Sequence, residues 1–72
     1  MMELTTKYDS RKSFYRKAHY RREGERIILR SYSTDVSTYD TRTKEFTHDS
    51  YSRTTSRHQR EFQLQIENGD IR

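Results

Sequence analysis

The sequence predicts an α+β domain in which a three-stranded antiparallel β-meander carries one C-terminal α-helix on one face. Three observations carry that expectation. Residues 26 to 39 (RIILRSYSTDVSTY) are rich in β-branched and hydroxyl-bearing side chains that favour strands. The REGE stretch at 22 to 25 places Gly24 where a tight turn needs positive φ. His58, Phe62 and Ile66 recur at four-residue spacing, which is the inner stripe of an amphipathic helix.

The elements follow in order. Residues 1 to 10 (MMELTTKYDS) have no firm period and are expected as a flexible arm or an edge strand. Residues 12 to 22 (KSFYRKAHYRR) alternate as a strand, with Phe14, Ala18 and Tyr20 on one parity and Tyr15, Lys17, His19 and Arg21 on the other. Arg16 interrupts the first of these faces. The turn at Gly24 joins this strand to residues 26 to 39 as a hairpin. That second segment has a phase conflict: Ile27 and Leu29 are odd, whereas Tyr32, Thr34 and Val36 are even. A bulge or bend near Arg30 to Tyr32 would reconcile them. The alternative places Ile28, Tyr32 and Val36 on the core face. DTRT at 40 to 43 suits a turn held by the Asp40 side chain. KEFTH at 44 to 48 is a short strand with Phe46 inward, completing a sheet over residues 12 to 48. DSYSR follows as a loop with Tyr51 as a core anchor. The helix is expected over 54 to 67, N-capped by Thr54 or Thr55 and ending at Asn68-Gly69. Gln59, Arg60, Gln63 and Glu67 form its polar side, and Leu64 lies off the inner stripe.

Length and composition bound the function. Seventy-two residues make one domain spanning 1 to 72, with a small core. An apolar content of 28%, a charged content of 36% and a mean hydropathy of -1.40 lean toward disorder. The absence of proline, the two glycines, and the six tyrosines and three phenylalanines lean the other way. A homodimer would add to so small a core. Without cysteine there is no disulfide, iron-sulfur or cysteine-zinc site. No apolar run is long enough to span a bilayer, and the N-terminus does not read as a signal peptide, so no membrane partner and a cytoplasmic location are expected.

The net charge of +4 is unevenly placed. Residues 1 to 36 hold nine Lys/Arg against five Asp/Glu, whereas residues 37 to 72 hold six of each. Such a field favours polyanions or an acidic protein face. Tyr15, Lys17, His19 and Arg21 are expected side by side on one strand face, extended by Arg26 and Arg30 from the neighbouring strand. Arg53, Arg57 and Arg60 form a second cluster around the helix start. Arginines reach phosphates and guanine edges, and tyrosines stack on exposed bases. The bland alternative is a solvated sheet face with arginines lying across tyrosines.

No catalytic, cofactor or metal site is expected, and the chain is read as a non-enzyme. His19, His48 and His58 form no metal-binding pair in sequence. Ser52, Thr54, Thr55 and Ser56 before His58 resemble helix-capping hydroxyls rather than a nucleophile and its base. His58 is expected to pack on the inner side of the helix, bonded to backbone or Tyr51.

KSFYRKA (12 to 18), LRSYSTDV (29 to 36) and YSRTTSRHQREF (51 to 62) occur in the order found in a family of short, functionally uncharacterised proteins of phages and other mobile elements of Gram-positive and gut bacteria. The chain resembles that family over most of residues 12 to 62, through its SFY-x-KA, SY-x-T-x-V and Y-S-x-T-T-x-R-H pieces and an EF pair. Relatives commonly carry glycine at the position of Arg16 and isoleucine at that of Gln59. The resemblance implies a phage or mobile-element origin but no activity.

Two functions fit these observations. One is a nucleic-acid-binding accessory protein, with DNA rather than RNA as the ligand. The other is a protein-binding inhibitor of a host defence system, such as an anti-CRISPR protein, using tyrosine and arginine anchors. In that case Asp35, Asp40, Glu45 and Asp49 would contact a basic nucleic-acid channel.

Overall fold

A computed structural model describes residues 1–71. The chain is α+β, but the sheet has five antiparallel strands rather than three. They are β1 (Met2–Glu3), β2 (Ala18–Glu23), β3 (Arg26–Ser31), β4 (Thr34–Asp40) and β5 (Glu45–His48), paired in chain order and followed by α1 (Arg53–Glu67).

The correction has two sources. First, residues 26 to 39 are two strands. The chain reverses at Tyr32-Ser33, Ser31 pairs with Thr34, and Tyr32 takes φ 58. A two-residue hairpin needs positive φ of this kind, normally supplied by glycine or asparagine, so a tyrosine there conceals the turn. Second, residues 1 to 10 take the edge-strand alternative: Met2–Glu3 pairs with β2 and adds a strand to the sheet.

The phase conflict resolves through this split and a bulge. Leu29 pairs with Ser37 and Arg30 with Asp35, leaving Val36 as the extra residue of β4. Val36 and Ser37 are consequently both buried although adjacent. Ile27 and Leu29 face the core; Ile28 does not, which removes the alternative register.

The first predicted strand is also shortened. Residues 12 to 17 form a loop that turns back on itself through Lys17 N–H to the Phe14 carbonyl at 2.9 Å. Tyr15 and Arg16 take φ 54 and 62 within it. The turn drops Phe14 into the core and leaves Tyr15 71% exposed. Gly24 supplies φ +60 at the β2–β3 turn. The Asp40 carboxylate accepts the N–H groups of Arg42 and Thr43 at the β4–β5 turn.

The helix lies against the sheet through Phe62, with Leu4, Phe14, Ala18, Ile27, Leu29, Val36 and Ile71 around it. Burying Phe62 contributes about 2 to 3 kcal/mol. Its N-cap is Ser52, not Thr54 or Thr55; the Ser52 hydroxyl accepts the Thr55 N–H at 3.3 Å. Tyr51 is 53% exposed and is no core anchor.

Much of the buried helix face is polar: Thr55, His58, Gln59, Glu61 and Gln65. Gln59, expected on the polar side, donates to the carbonyls of Val36 and Asp49 at 3.0 and 2.7 Å, so it holds the bulged backbone. The Glu61 carboxylate, 1% exposed, accepts the backbone N–H groups of Lys7, Tyr8 and Asp9. Gln65 joins that site by donating to Glu61 and to the Thr5 carbonyl. Among the described residues no buried side-chain nitrogen or oxygen lacks a partner. That satisfaction is what allows so polar a layer beneath the sheet.

Candidate functional site

The strand register sorts the basic residues into two groups. Tyr15, Lys17, His19 and Arg21 do not share one strand face, because Tyr15 and Lys17 lie in the loop before β2. His19 and Arg21 lie on the sheet face away from the helix, together with Arg26 and Arg30.

That outer face is not a positive surface. Glu23 pairs with Arg26, Arg30 with Asp35, and Arg26 with Asp40 across the strands. Arg21 forms a two-pronged bond to Asp35 at 3.0 and 2.8 Å and reaches Glu23 at 2.6 Å. Its pKa is raised by these carboxylates, and Asp35 is held below the ordinary carboxylate range by Arg21. Arg30 is turned to the Ser33 carbonyl at 2.9 Å. Asp40 and Glu45 pair directly at the far side. The face is a mosaic: Arg21 binds two acids, Arg30 a backbone acceptor, and Arg26 has Glu23 and Asp40 as its register neighbours.

The second group gathers where the 11 to 17 loop meets the start of α1. A pocket of about 220 Å³ opens there, lined by Arg11, Ser13, Tyr15, Lys17, Tyr32 and Arg57, with Phe14, Thr54 and His58 completing its wall. Tyr15 and Tyr32 are well exposed, and each is presented by a backbone at positive φ. Arg57 bonds Asp9 at 3.3 Å, and Asp9 also accepts the Arg11 N–H at 2.9 Å. Three cations thus line the pocket, with one carboxylate behind them.

His58 is the buried member. Its Nδ1 lies 2.8 Å from the Ser31 hydroxyl, which lies 3.1 Å from that of Thr55. The Phe14 ring packs edge-on to it at 4.5 Å. Burial pushes its pKa below the ordinary histidine value, with Asp9 opposing and Arg11 adding to the shift. The expected partner Tyr51 plays no part in these bonds.

The remaining predicted residues stand apart. Arg53 is exposed at the first position of α1, and Arg60 lines a separate groove of about 380 Å³ with His48, Gln63 and Leu64. His48 uses both ring nitrogens, bonding Ser37 at 2.6 Å and Gln63 at 2.8 Å. No group of three or more His, Asp or Glu side chains suited to a metal occurs among the described residues. No helix among them is long and apolar enough to cross a membrane.

Sequence reasoning missed Arg11, Ser13, Tyr32 and Thr54 as neighbours of Tyr15, Lys17 and Arg57. The available signal was the parity break at Tyr32, which marks the turn that brings its ring toward His58, at 6.0 Å between centroids.

The chain belongs to a family of unknown function, DUF8033, whose model matches residues 2–72. No curated protein and no solved structure matches it.

Proposed function

We propose that this is a nucleic-acid-binding accessory protein of a phage or mobile element, acting on DNA in the bacterial cytoplasm. Its contact surface is the pocket end of the molecule rather than the outer sheet face. The observation that carries this reading is the contrast between the two basic groups. On the sheet Arg21 is held by Asp35 and Glu23 and Arg30 by a backbone carbonyl, whereas Arg11, Lys17 and Arg57 gather at one pocket beside two exposed tyrosines, with Asp9 as the one carboxylate bonded to them. Cations held next to exposed rings suit a single strand, whose phosphates and bases are both accessible.

The test is fluorescence polarisation with single- and double-stranded DNA across a salt series. About three phosphate contacts predict that log K falls with log salt with a slope of roughly -2 to -3. Lys17→Ala and Arg57→Ala should weaken binding and flatten that slope, while Arg21→Ala should leave both unchanged. Absence of binding at low salt would refute the proposal.

A second reading is favoured by the outer sheet face. Asp35 and Asp40 stand on it at β4, opposite Arg30 and Arg26, and Glu45 stands at β5 opposite Asp40. A mixed-charge face of this kind suits protein recognition, including anti-CRISPR inhibition of a host nuclease at its basic channel. Cleavage by a purified CRISPR effector, measured with the protein and with its Asp40→Lys variant, tests it. Inhibition lost in the variant supports this reading, and undiminished cleavage in the presence of the protein refutes it for that effector.

A further inference from the structure

The pocket between the 11 to 17 loop and α1 has a feature that a generic basic surface lacks. His58 is 1% exposed, and its Nε2 makes no hydrogen bond within the described chain. Since every buried side-chain polar atom there is paired, Nε2 is the part of the ring that opens on the pocket.

A chain of hydroxyl groups supports one role for that atom. The Ser52 hydroxyl donates to Thr55 Oγ1 at 3.4 Å, and the Thr55–Ser31 and Ser31–His58 Nδ1 contacts continue the chain at 3.1 and 2.8 Å, consistent with Thr55 donating to Ser31 and Ser31 to His58 Nδ1. With Nδ1 accepting, the neutral ring carries its proton on Nε2 and presents a donor to the pocket. The helix N-cap is therefore linked through three hydroxyls to a donor at the pocket floor.

The surroundings carry an excess of positive charge, three cations against the Asp9 carboxylate. Arg11, Lys17 and Arg57 line the walls, and Asp9 orients Arg57 from behind. The pocket also includes Thr54 in the first turn of α1, where the helix dipole is positive. At about 220 Å³ it accommodates one phosphate and its attached sugar, but not a continuous run of duplex backbone. A terminal phosphate carries about -1.5 to -2 charge at neutral pH, against one for an internal diester, so three cations and a neutral donor favour the end of a strand.

We infer that this pocket is a phosphomonoester subsite that takes the terminal phosphate of a DNA strand, with the adjoining base against Tyr15 or Tyr32. The inference rests on the nucleic-acid reading above and adds end recognition to it.

The experiment compares one short single-stranded oligonucleotide bearing a 5′-phosphate, a 3′-phosphate or hydroxyls at both ends, alongside a free deoxynucleoside monophosphate. Binding is followed by polarisation and by the histidine side-chain nitrogen signals in NMR. A phosphorylated end should tighten binding by about tenfold, with a shift of the His58 Nε2 signal. Lys17→Ala and Arg57→Ala, both at exposed positions, should abolish most of that preference, while Arg21→Ala preserves it. Equal binding of all three oligonucleotides overturns the subsite and leaves the nucleic-acid reading standing. Binding of the monophosphate alone, with the same His58 shift, supports the subsite but overturns strand recognition. Binding of neither overturns both.

Discussion

The Glu61 carboxylate holds the backbone N–H of Tyr8 on both oxygens, at 2.9 and 3.2 Å. The neighbouring N–H groups of Lys7 and Asp9 converge on it at 3.0 and 2.8 Å. Three successive N–H groups make an anion-binding concavity, here filled by the protein's own side chain. The contact fastens residues 5 to 9 to α1, with Leu4 entering the core on one side and Asp9 directed at Arg57 on the other. Glu61→Ala leaves these donors without their acceptor and should cost about 2 to 4 kcal/mol in urea unfolding. Glu61→Gln retains one carbonyl and should cost less. A loss under about 0.5 kcal/mol for Glu61→Ala would show that the segment is held by other contacts.

Elements governed by local rules were legible in the sequence. Gly24 marked the β2–β3 turn, Asp40 the β4–β5 turn, and the His58-Phe62-Ile66 stripe the inner side of the helix. What escaped were the places where tertiary structure imposes a conformation that the residue type does not favour. Tyr32 turns a hairpin at φ 58, and Tyr15 and Arg16 turn a loop at φ 54 and 62. Nothing in their chemistry announces a left-handed backbone, so residues 26 to 39 read as one strand and residues 12 to 17 as part of another. The candidate site was obscured for the same reason. Tyr15 and Lys17 were recognised as a basic-aromatic pair, but only the turn at Arg16 swings them from the sheet to Arg57. The outer face misled differently: its arginines were visible, whereas their matching to Glu23, Asp35 and Asp40 depends on strand register.

Stability should fall in two stages as pH is lowered. Burial holds His58 below its ordinary pKa of 6.5, so the unfolded chain takes up this proton before the folded one does. The stability tied to neutral His58 is complete above that value and is lost as pH falls below it toward the folded pKa. Asp35, held down by Arg21, and Asp40, held down by the N–H groups of Arg42 and Thr43, act later. Their contribution is present above the ordinary value of 3.8 and disappears below it as the folded carboxylates protonate. Urea midpoints at a series of pH values check this. The first stage should shrink in His58→Gln while the second persists. An unchanged first stage in the variant would assign it to another group.

Arg16→Gly should stabilise the fold. A left-handed backbone costs a non-glycine residue about 1 to 2 kcal/mol, and glycine returns about 0.5 to 1 of that through its larger entropy loss on folding. The net gain is about 0.5 kcal/mol, since Arg16 is exposed and forms no ion pair among the described residues. Tyr15→Gly should relieve similar strain yet weaken DNA binding, because it removes an exposed ring from the pocket rim. Thermal unfolding and polarisation measured on both variants would separate the two effects. Weaker binding by Arg16→Gly, with the fold intact, would extend the contact surface to the Arg16 side chain.

Arg21 and Asp35 should show a coupling of about 0.5 to 1 kcal/mol in a double-mutant cycle built from Arg21→Ala and Asp35→Ala. The two-pronged geometry and the partly covered guanidinium place the pair at the upper end for a surface bridge. The coupling should diminish in high salt, since Asp35 is well exposed. Arg21→Ala should meanwhile leave DNA affinity unchanged, because its charge is already engaged by Asp35 and Glu23 on the face away from the pocket. If Arg21→Ala instead weakened DNA binding as much as Arg57→Ala does, while the cycle gave no coupling, the guanidinium would be available to phosphate. The contact surface would then have to include the sheet.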